Sequence, residues 1–421
     1  MKNIFYLFLV FVASVLSLVS AQERDKEKSL PQIECPKPKQ GVSFQDPVFK
    51  TALLRLTDAQ TMKYPGLVPD YSKRQAWNCD ETLLMLRTGE GSVIVLDGKT
   101  YQLKKVLPEV GGEDVFWHPT NPSLLYYNPD RTLYLYNIEE ERAEPVYTFL
   151  EYTFANTRGE GNLSRDGKYY AVVGQFYDET RQEVFFRDFL LLDILSRKIL
   201  QKLSLPKNLE SFDWISVSSK GNYIVVDYAD TELGPFHGIE VYDTQFRRIW
   251  QKPLGAGHSD LGMDENGDEI LVMDIYNADT NSTFLKKFRL ADGEETTLLE
   301  FSYLFDAHIS CQNEVHLGWC FVSTFDYVGR LTDSPETWLP FEDEIFALKL
   351  DGTQKVTRLA HHHSRRYSPQ TPDSDQSVYF AEPHATINRQ GNRLLFGSNW
   401  RQNIKESISI DTYLLQFDLK K

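Results

Sequence analysis

Seven of the nine histidines in this chain fall after residue 257. Three of these hold similar places relative to the apolar runs around them. His258 comes shortly before Leu261-Gly262-Met263, His308 opens its own segment, and His384 comes directly before Ala385-Thr386-Ile387. A neutral imidazole nitrogen is a common ligand for Zn or Mn, so three of them brought to one point would hold a divalent ion. Asp260 and Glu382 are near enough in sequence to add a carboxylate or to orient an imidazole from behind. The alternative is that each histidine caps a strand or bonds a turn carbonyl.

A second cluster is local: His308-x-x-Cys311, then His316, then Cys320. Two thiolates and two imidazoles suit a tetrahedral structural Zn, and His258 could take the place of His316. A disulfide between Cys311 and Cys320 across a hairpin is the other reading. Both metal sites would need His308, while strand alternation puts residues 308 and 311 on opposite faces. The remaining thiols, Cys35 and Cys79, could join the N-terminal arm to the first strands. Four cysteines in 421 residues are too few for a disulfide scaffold.

The run His361-His362-His363-Ser364-Arg365-Arg366-Tyr367 concentrates basic groups in an acidic chain. Arg365, Arg366 and Tyr367 are candidates to bind an anionic sugar, since guanidinium presents a fork that matches a carboxylate, and candidates for the catalytic base. Glu382 is a further candidate on the substrate. A solvated loop is the alternative for the whole run. His237, the one histidine between His118 and His258, is another candidate base. The chain has no nucleophile elbow, zinc-protease helix motif, phosphate loop or dinucleotide fingerprint, so no nucleotide cofactor is expected.

The elements that must position these groups are short strands. A weak repeat consists of a polar turn followed by bulky β-formers. Ser164-Arg165-Asp166-Gly167 precedes Tyr169-Tyr170-Ala171-Val172-Val173, and Ser218-Ser219-Lys220-Gly221 precedes Tyr223-Ile224-Val225-Val226. Asp264-Glu265-Asn266-Gly267 and Asn388-Arg389-Gln390-Gly391 repeat the pattern, with further copies at Asn78 and His118 and a degenerate one at residues 308–323. About seven copies at roughly 40–55-residue spacing predict an all-β fold, a β-propeller of about seven four-stranded blades. Gly and Asn tolerate the positive φ of the turn joining the two inner strands of a blade. A four-stranded sheet has two apolar faces, which radial stacking of the blades buries. Leu53-Leu54-Arg55-Leu56 lies outside the first copy and is expected to complete the last blade. The first strand of each blade lines the central channel, so the three histidines above would meet at one channel mouth.

Lys2 followed by an apolar run over residues 4–19, with small residues at Val19-Ser20-Ala21, reads as a secretory signal over 1–21. A polar, Pro-containing lead-in over 22–45 is expected to be flexible, with a single propeller domain over 46–421. No later run is long and apolar enough for a membrane span. The chain is therefore expected to be secreted or periplasmic. A net charge of -15 argues against nucleic acid as a partner.

The loosely written turn S-x-D-G-x-x-hydrophobic resembles the blade repeats of bacterial TolB-type and oligogalacturonate-lyase-type propellers, from about residue 50 to the C-terminus. The segment Glu382-Pro383-His384-Ala385-Thr386-Ile387-Asn388 looks like the last-blade motif of the lyases. The resemblance implies a Mn ion held by His and Gln from channel-facing strands, with another His removing the proton beside a uronic carboxylate. His258 and His384 match by position in the repeat, and the family's Gln falls near Glu382. Two functions follow as expectations. One is a metal-assisted lyase acting on an acidic glycan. The other is a non-catalytic exported propeller that binds a glycan or a partner protein.

Overall fold

The structure is a computed structural model that describes residues 27–207, 209, 211–255, 257–303, 305–325, 337–365, 381–401 and 409–419. The expected signal over 1–21 lies outside these residues. Among the described residues the chain forms seven antiparallel sheets, and its single α-helix is the one-turn Ala59–Met62. The seven sheets are the blades of a propeller. Their first strands are Leu67–Val68, Asp114–Trp117, Phe154–Asn156, Trp214–Val217, Ser259–Met263, Asp306–Ser310 and Thr386–Ile387, which number blades 1 to 7.

Strand alternation explains how the ring closes. In Tyr223–Asp227 of blade 4, Ile224 and Val226 pack toward blade 3, while Val225 packs toward blade 5. The same division produces an apolar cluster between every pair of neighbouring blades. The last cluster joins blade 7 to blade 1 through Leu54, Leu395 and Leu414 against Leu84, Leu86 and Ile94. Each aliphatic side chain so buried contributes about 1.5–3 kcal/mol. Blade 7 is completed as the sequence suggests: Ala52–Arg55 pairs with Asp411–Gln416, and Ser43–Gln45 adds a fifth, outermost strand.

The repeated turn has a common mechanism. Its first residue caps the turn by accepting a backbone N–H five positions on, as in Asn78 to Leu83, Ser164 to Tyr169, Ser218 to Tyr223 and Asn388 to Arg393. Gly167, Gly221 and Gly391 take φ of 69°, 78° and 73° in this turn, the region where a Cβ is penalised. Residues 27–45, expected to be a flexible lead-in, lie against blades 6 and 7. Lys37 pairs with Asp411 at 2.6 Å, Trp400 donates its indole N–H to the Cys35 carbonyl, and His361 donates to the Leu30 carbonyl.

Blade 1 departs from the pattern in a way that shapes the site. Its first strand stops after two residues because Pro69 cannot donate to the ladder. Residues 69–75 then leave the sheet and cross to five other blades, before Ala76 and Trp77 rejoin the second strand of blade 1 at Met85 and Leu84. The Arg74 guanidinium meets Asp114 of blade 2 at 2.9 Å, Lys73 pairs with Glu160 beyond the first strand of blade 3, and the Lys73 ammonium sits 4.3 Å from the Trp214 ring of blade 4. Gln75 donates to the Gln312 and Ile387 carbonyls beyond blade 6 and in blade 7. A segment that reaches all of these must lie on the axis, so it closes the channel between the two mouths.

A candidate metal centre at one channel mouth

His308 points from the first strand of blade 6 and is fully buried. His384 precedes the first strand of blade 7 and has a left-handed backbone, φ 41°. Glu382 lies two residues earlier. The intervening Pro383 carbonyl accepts the Gly397 N–H at 2.8 Å, which ties this segment to the second strand of its blade. Glu382 Oε2 is 3.4 Å from His308 Nε2 and 3.7 Å from His384 Nε2. One ligand atom from each of the three lies within 4.8 Å of the others. Ligands about 2.1 Å from a common ion in tetrahedral geometry stand roughly 3.4 Å apart, so this donor set fits a divalent metal. Two imidazoles and one carboxylate also leave coordination positions open, as catalytic sites require.

His258 joins from blade 5. Its ring centroid is 4.6 Å from that of His308, which in turn is 3.9 Å from that of His384. The three histidines therefore meet, but His258 belongs to a neighbouring group with Asp274 and Asp306. Its Nδ1 is 3.9 Å from Asp274 Oδ2, and the side chain is 28% exposed. Burial, and the adjacent Asp306 carboxylate, hold the Asp274 carboxyl well above the usual range. Phe325 stacks on His308 at 4.7 Å, and Tyr71 from the axial segment lies 4.9 Å from His384 and 5.6 Å from His308.

His384 opens into a cavity of about 580 Å³, whose lining includes Asp70, Tyr71, Arg87 and Gln175. The Arg87 guanidinium is pinned by Asp70 at 2.6 Å and by the Gly91 carbonyl. Neither Tyr71 nor Arg87 stood out in the sequence, since a lone Tyr or Arg carries no motif and only the crossing of residues 69–75 brings Tyr71 here.

The other candidates are placed elsewhere. Asp260 does not join the metal group: its carboxylate accepts the Cys311 N–H at 2.6 Å and the Gln312 amide. Cys311 and Cys320 face into the core between blades 5 and 6, on the opposite face of the strand from His308, and no described metal-capable group includes a cysteine. His316 stands in the loop between them, its carbonyl accepting the Asn313 amide. Cys35 lies 4.0 Å from His363 Nδ1, and all four thiols are free, so neither Cys35–Cys79 nor Cys311–Cys320 is bridged. His361, His362 and His363 are buried, not part of a solvated loop. Arg365 is held through its backbone by Asn399, and Arg366 and Tyr367 lie outside the described residues. His237 pairs with Asp230 at 3.1 Å and does not line the cavity.

Burial and the adjacent Cys320 thiol push the Cys311 thiol well above the usual range, which leaves it unreactive. A thiol reagent is thus expected to titrate four groups in denaturant and to spare Cys311 and Cys320 in the native protein. A count of two in denaturant would mean that a disulfide has formed.

The fold and site together define a seven-bladed propeller with a carboxylate–histidine centre at a closed channel mouth. The structure is similar to an oligogalacturonate lyase in complex with manganese, with 14% identity, a TM-score of 0.63, and coverage of 94% of this chain and 99% of that one. It is equally similar to an oligogalacturonate lyase from Vibrio parahaemolyticus, with 12% identity, a TM-score of 0.63, and coverage of 89% and 96%. The WD40 domain of Pan2 from Neurospora crassa follows at 13% identity and a TM-score of 0.50, covering 85% and 96%. Identities this low speak for the fold. No protein-family model matches the sequence, and no curated protein matches it.

Proposed function

We propose that this protein is an exported, metal-assisted lyase acting on an acidic, uronate-containing glycan. The observation that carries the reading is the set His308, Glu382 and His384, gathered where His384 opens into a cavity that also presents Arg87. The likeness to a lyase in complex with manganese supports it at the level of fold. A divalent ion bound there would neutralise the uronate carboxylate and so acidify the adjacent C5–H.

The protein's own groups then have distinct tasks. His308, Glu382 and His384 would hold the ion. Arg87, held by Asp70 and by the Gly91 and Gly112 carbonyls, contributes a fixed positive charge to the cavity wall that draws the sugar carboxylate. His258, partly exposed beside the triad, would accept the C5 proton, with its Nδ1 3.9 Å from Asp274. As the C5–H electron pair forms the C4=C5 double bond, the C4–O bond breaks and the released chain end takes up a proton. Tyr71 and the axial segment shut the channel below and keep bulk water from entering on that side. Export rests on the apolar run at residues 4–19. Among the described residues no helix is long and apolar enough to cross a membrane.

The test is elemental analysis of protein purified without a histidine tag, followed by incubation with polygalacturonate. The expected result is near-stoichiometric Mn or Zn and an ultraviolet-absorbing unsaturated product. A chelator should abolish that product and added metal should restore it. Absence of both metal and product would overturn the lyase and leave a glycan- or protein-binding propeller.

A further inference from the structure

The second and third strands of blade 3, Tyr169–Asp178 and Glu183–Asp193, run to 10 and 11 residues and are the longest described. Second strands end on the face where first strands begin, so this hairpin extends on the side of the metal centre. Its register pairs Gln175 with Phe186 and Tyr177 with Val184, which puts these four side chains on one face. Gln175 and Val184 line the cavity that His384 opens into. Tyr177, directly opposite Val184, continues this face beyond the cavity, while Phe186 packs on Phe212 between blades 3 and 4. Tyr177 is 39% exposed, and its hydroxyl donates to Gln182 at 2.7 Å, which fixes the ring as a flat surface.

Arg158 completes this wall. It lines the cavity, is exposed, and its guanidinium lies 5.8 Å from the Phe186 ring centroid. Its backbone is held by Asn156. Among the described residues its side chain makes no ion pair or hydrogen bond, even though Glu113 shares the wall. Arg87, on the same cavity, is by contrast committed to Asp70. In a chain of net charge -15, an exposed guanidinium that only through-space attraction links to Glu113 and Asp213, at the foot of a hairpin that carries an exposed tyrosine ring, is a site for an anion with an apolar face. A uronate ring has both features: axial C–H groups on one face and a carboxylate at its edge.

We infer that this hairpin forms a second sugar subsite, where Tyr177 stacks on a pyranose ring and Arg158 binds its carboxylate, adjoining the unit held at the metal centre. This rests on the lyase reading, and it assigns the residues that hold the neighbouring unit of the chain.

Titration calorimetry on chelator-treated protein tests it, because no turnover then consumes the ligand. The ligands are the galacturonate trimer and the neutral galactose trimer. Arg158→Gln is expected to weaken the acidic trimer by about 10–100-fold and to leave the neutral trimer unchanged. Tyr177→Ala is expected to weaken both trimers by a similar, smaller factor. If both variants bind the acidic trimer as tightly as the wild type, the subsite is overturned and the lyase reading stands. If the wild type binds no acidic oligomer, with or without restored metal, the lyase reading fails and the subsite fails with it.

Discussion

Replacing His308 with alanine is expected to empty the metal centre and to lower formation of unsaturated product by at least about 1000-fold. The chain would retain only Glu382 and His384 at that point, too few ligands to hold an ion through dialysis. His308 is central for geometric reasons: it contacts His258 on one side and His384 on the other, and Phe325 stacks on its face. Because the residue is buried, thermal melting should be recorded alongside, and His308→Asn supplies a variant of smaller volume change. Metal content separates the outcomes. If His308→Ala keeps a full equivalent of metal and its activity, the ion lies elsewhere, and His258, Asp274 and Asp306 form the next group to change. Glu382→Gln should be milder, since the amide oxygen still coordinates but brings no charge.

The other large effect concerns the axial segment. Arg74→Met is expected to destabilise the fold by about 3–5 kcal/mol, the usual cost of leaving one member of a buried ion pair behind. Arg74 and Asp114 are 2% and 0% exposed. Asp114 also accepts from the Thr157 N–H at 2.8 Å, the Thr157 hydroxyl and the Tyr170 hydroxyl. Arg74 donates to the Gly159 carbonyl and packs on the Phe116 ring at 4.3 Å. Removal of its charge leaves a carboxylate in the centre of the ring with no cation on it. Urea denaturation measures the loss, and the double variant Arg74→Met with Asp114→Asn should recover much of it, since no bare charge remains. A loss below about 1 kcal/mol for the single change would mean that the segment is a surface loop and does not seal the channel.

The parts of this structure that could be read from the sequence are those built from local rules. Ser164, Ser218 and Asn388 cap a turn whose glycine three residues later has positive φ, so turn, strand and blade number are all written in short windows. The meeting of the histidines could be read because all three lie at or just before the first strands of neighbouring blades, and first strands converge on the axis; their places differ in detail, since His308 is the third residue of its strand while His258 and His384 precede theirs. Glu382 came with His384 as its near neighbour. What could not be read depends on partners far apart in the chain. Residues 69–75 look like an ordinary polar loop, and nothing near Arg74 announces Asp114. The buried run His361-His362-His363 looked like a solvated basic patch because its partners are distant: Asp46 lies 3.9 Å from His363, and Leu30 receives the His361 bond. The separation of Cys311 from His308 was by contrast legible, since strand alternation alone sends them to opposite faces, and the structure keeps them there.

The strand that completes blade 7 has a consequence for timing. Ala52–Arg55 is made early, yet its partner Asp411–Gln416 comes some 360 residues later. At about 5–20 residues per second, tens of seconds pass between the two on the ribosome. Throughout that interval Ala52–Arg55 has only Ser43–Gln45 beside it, and its other edge stays open to unintended pairing. The seam between Ala52–Arg55 and Asp411–Gln416 is therefore the last part of the ring to form.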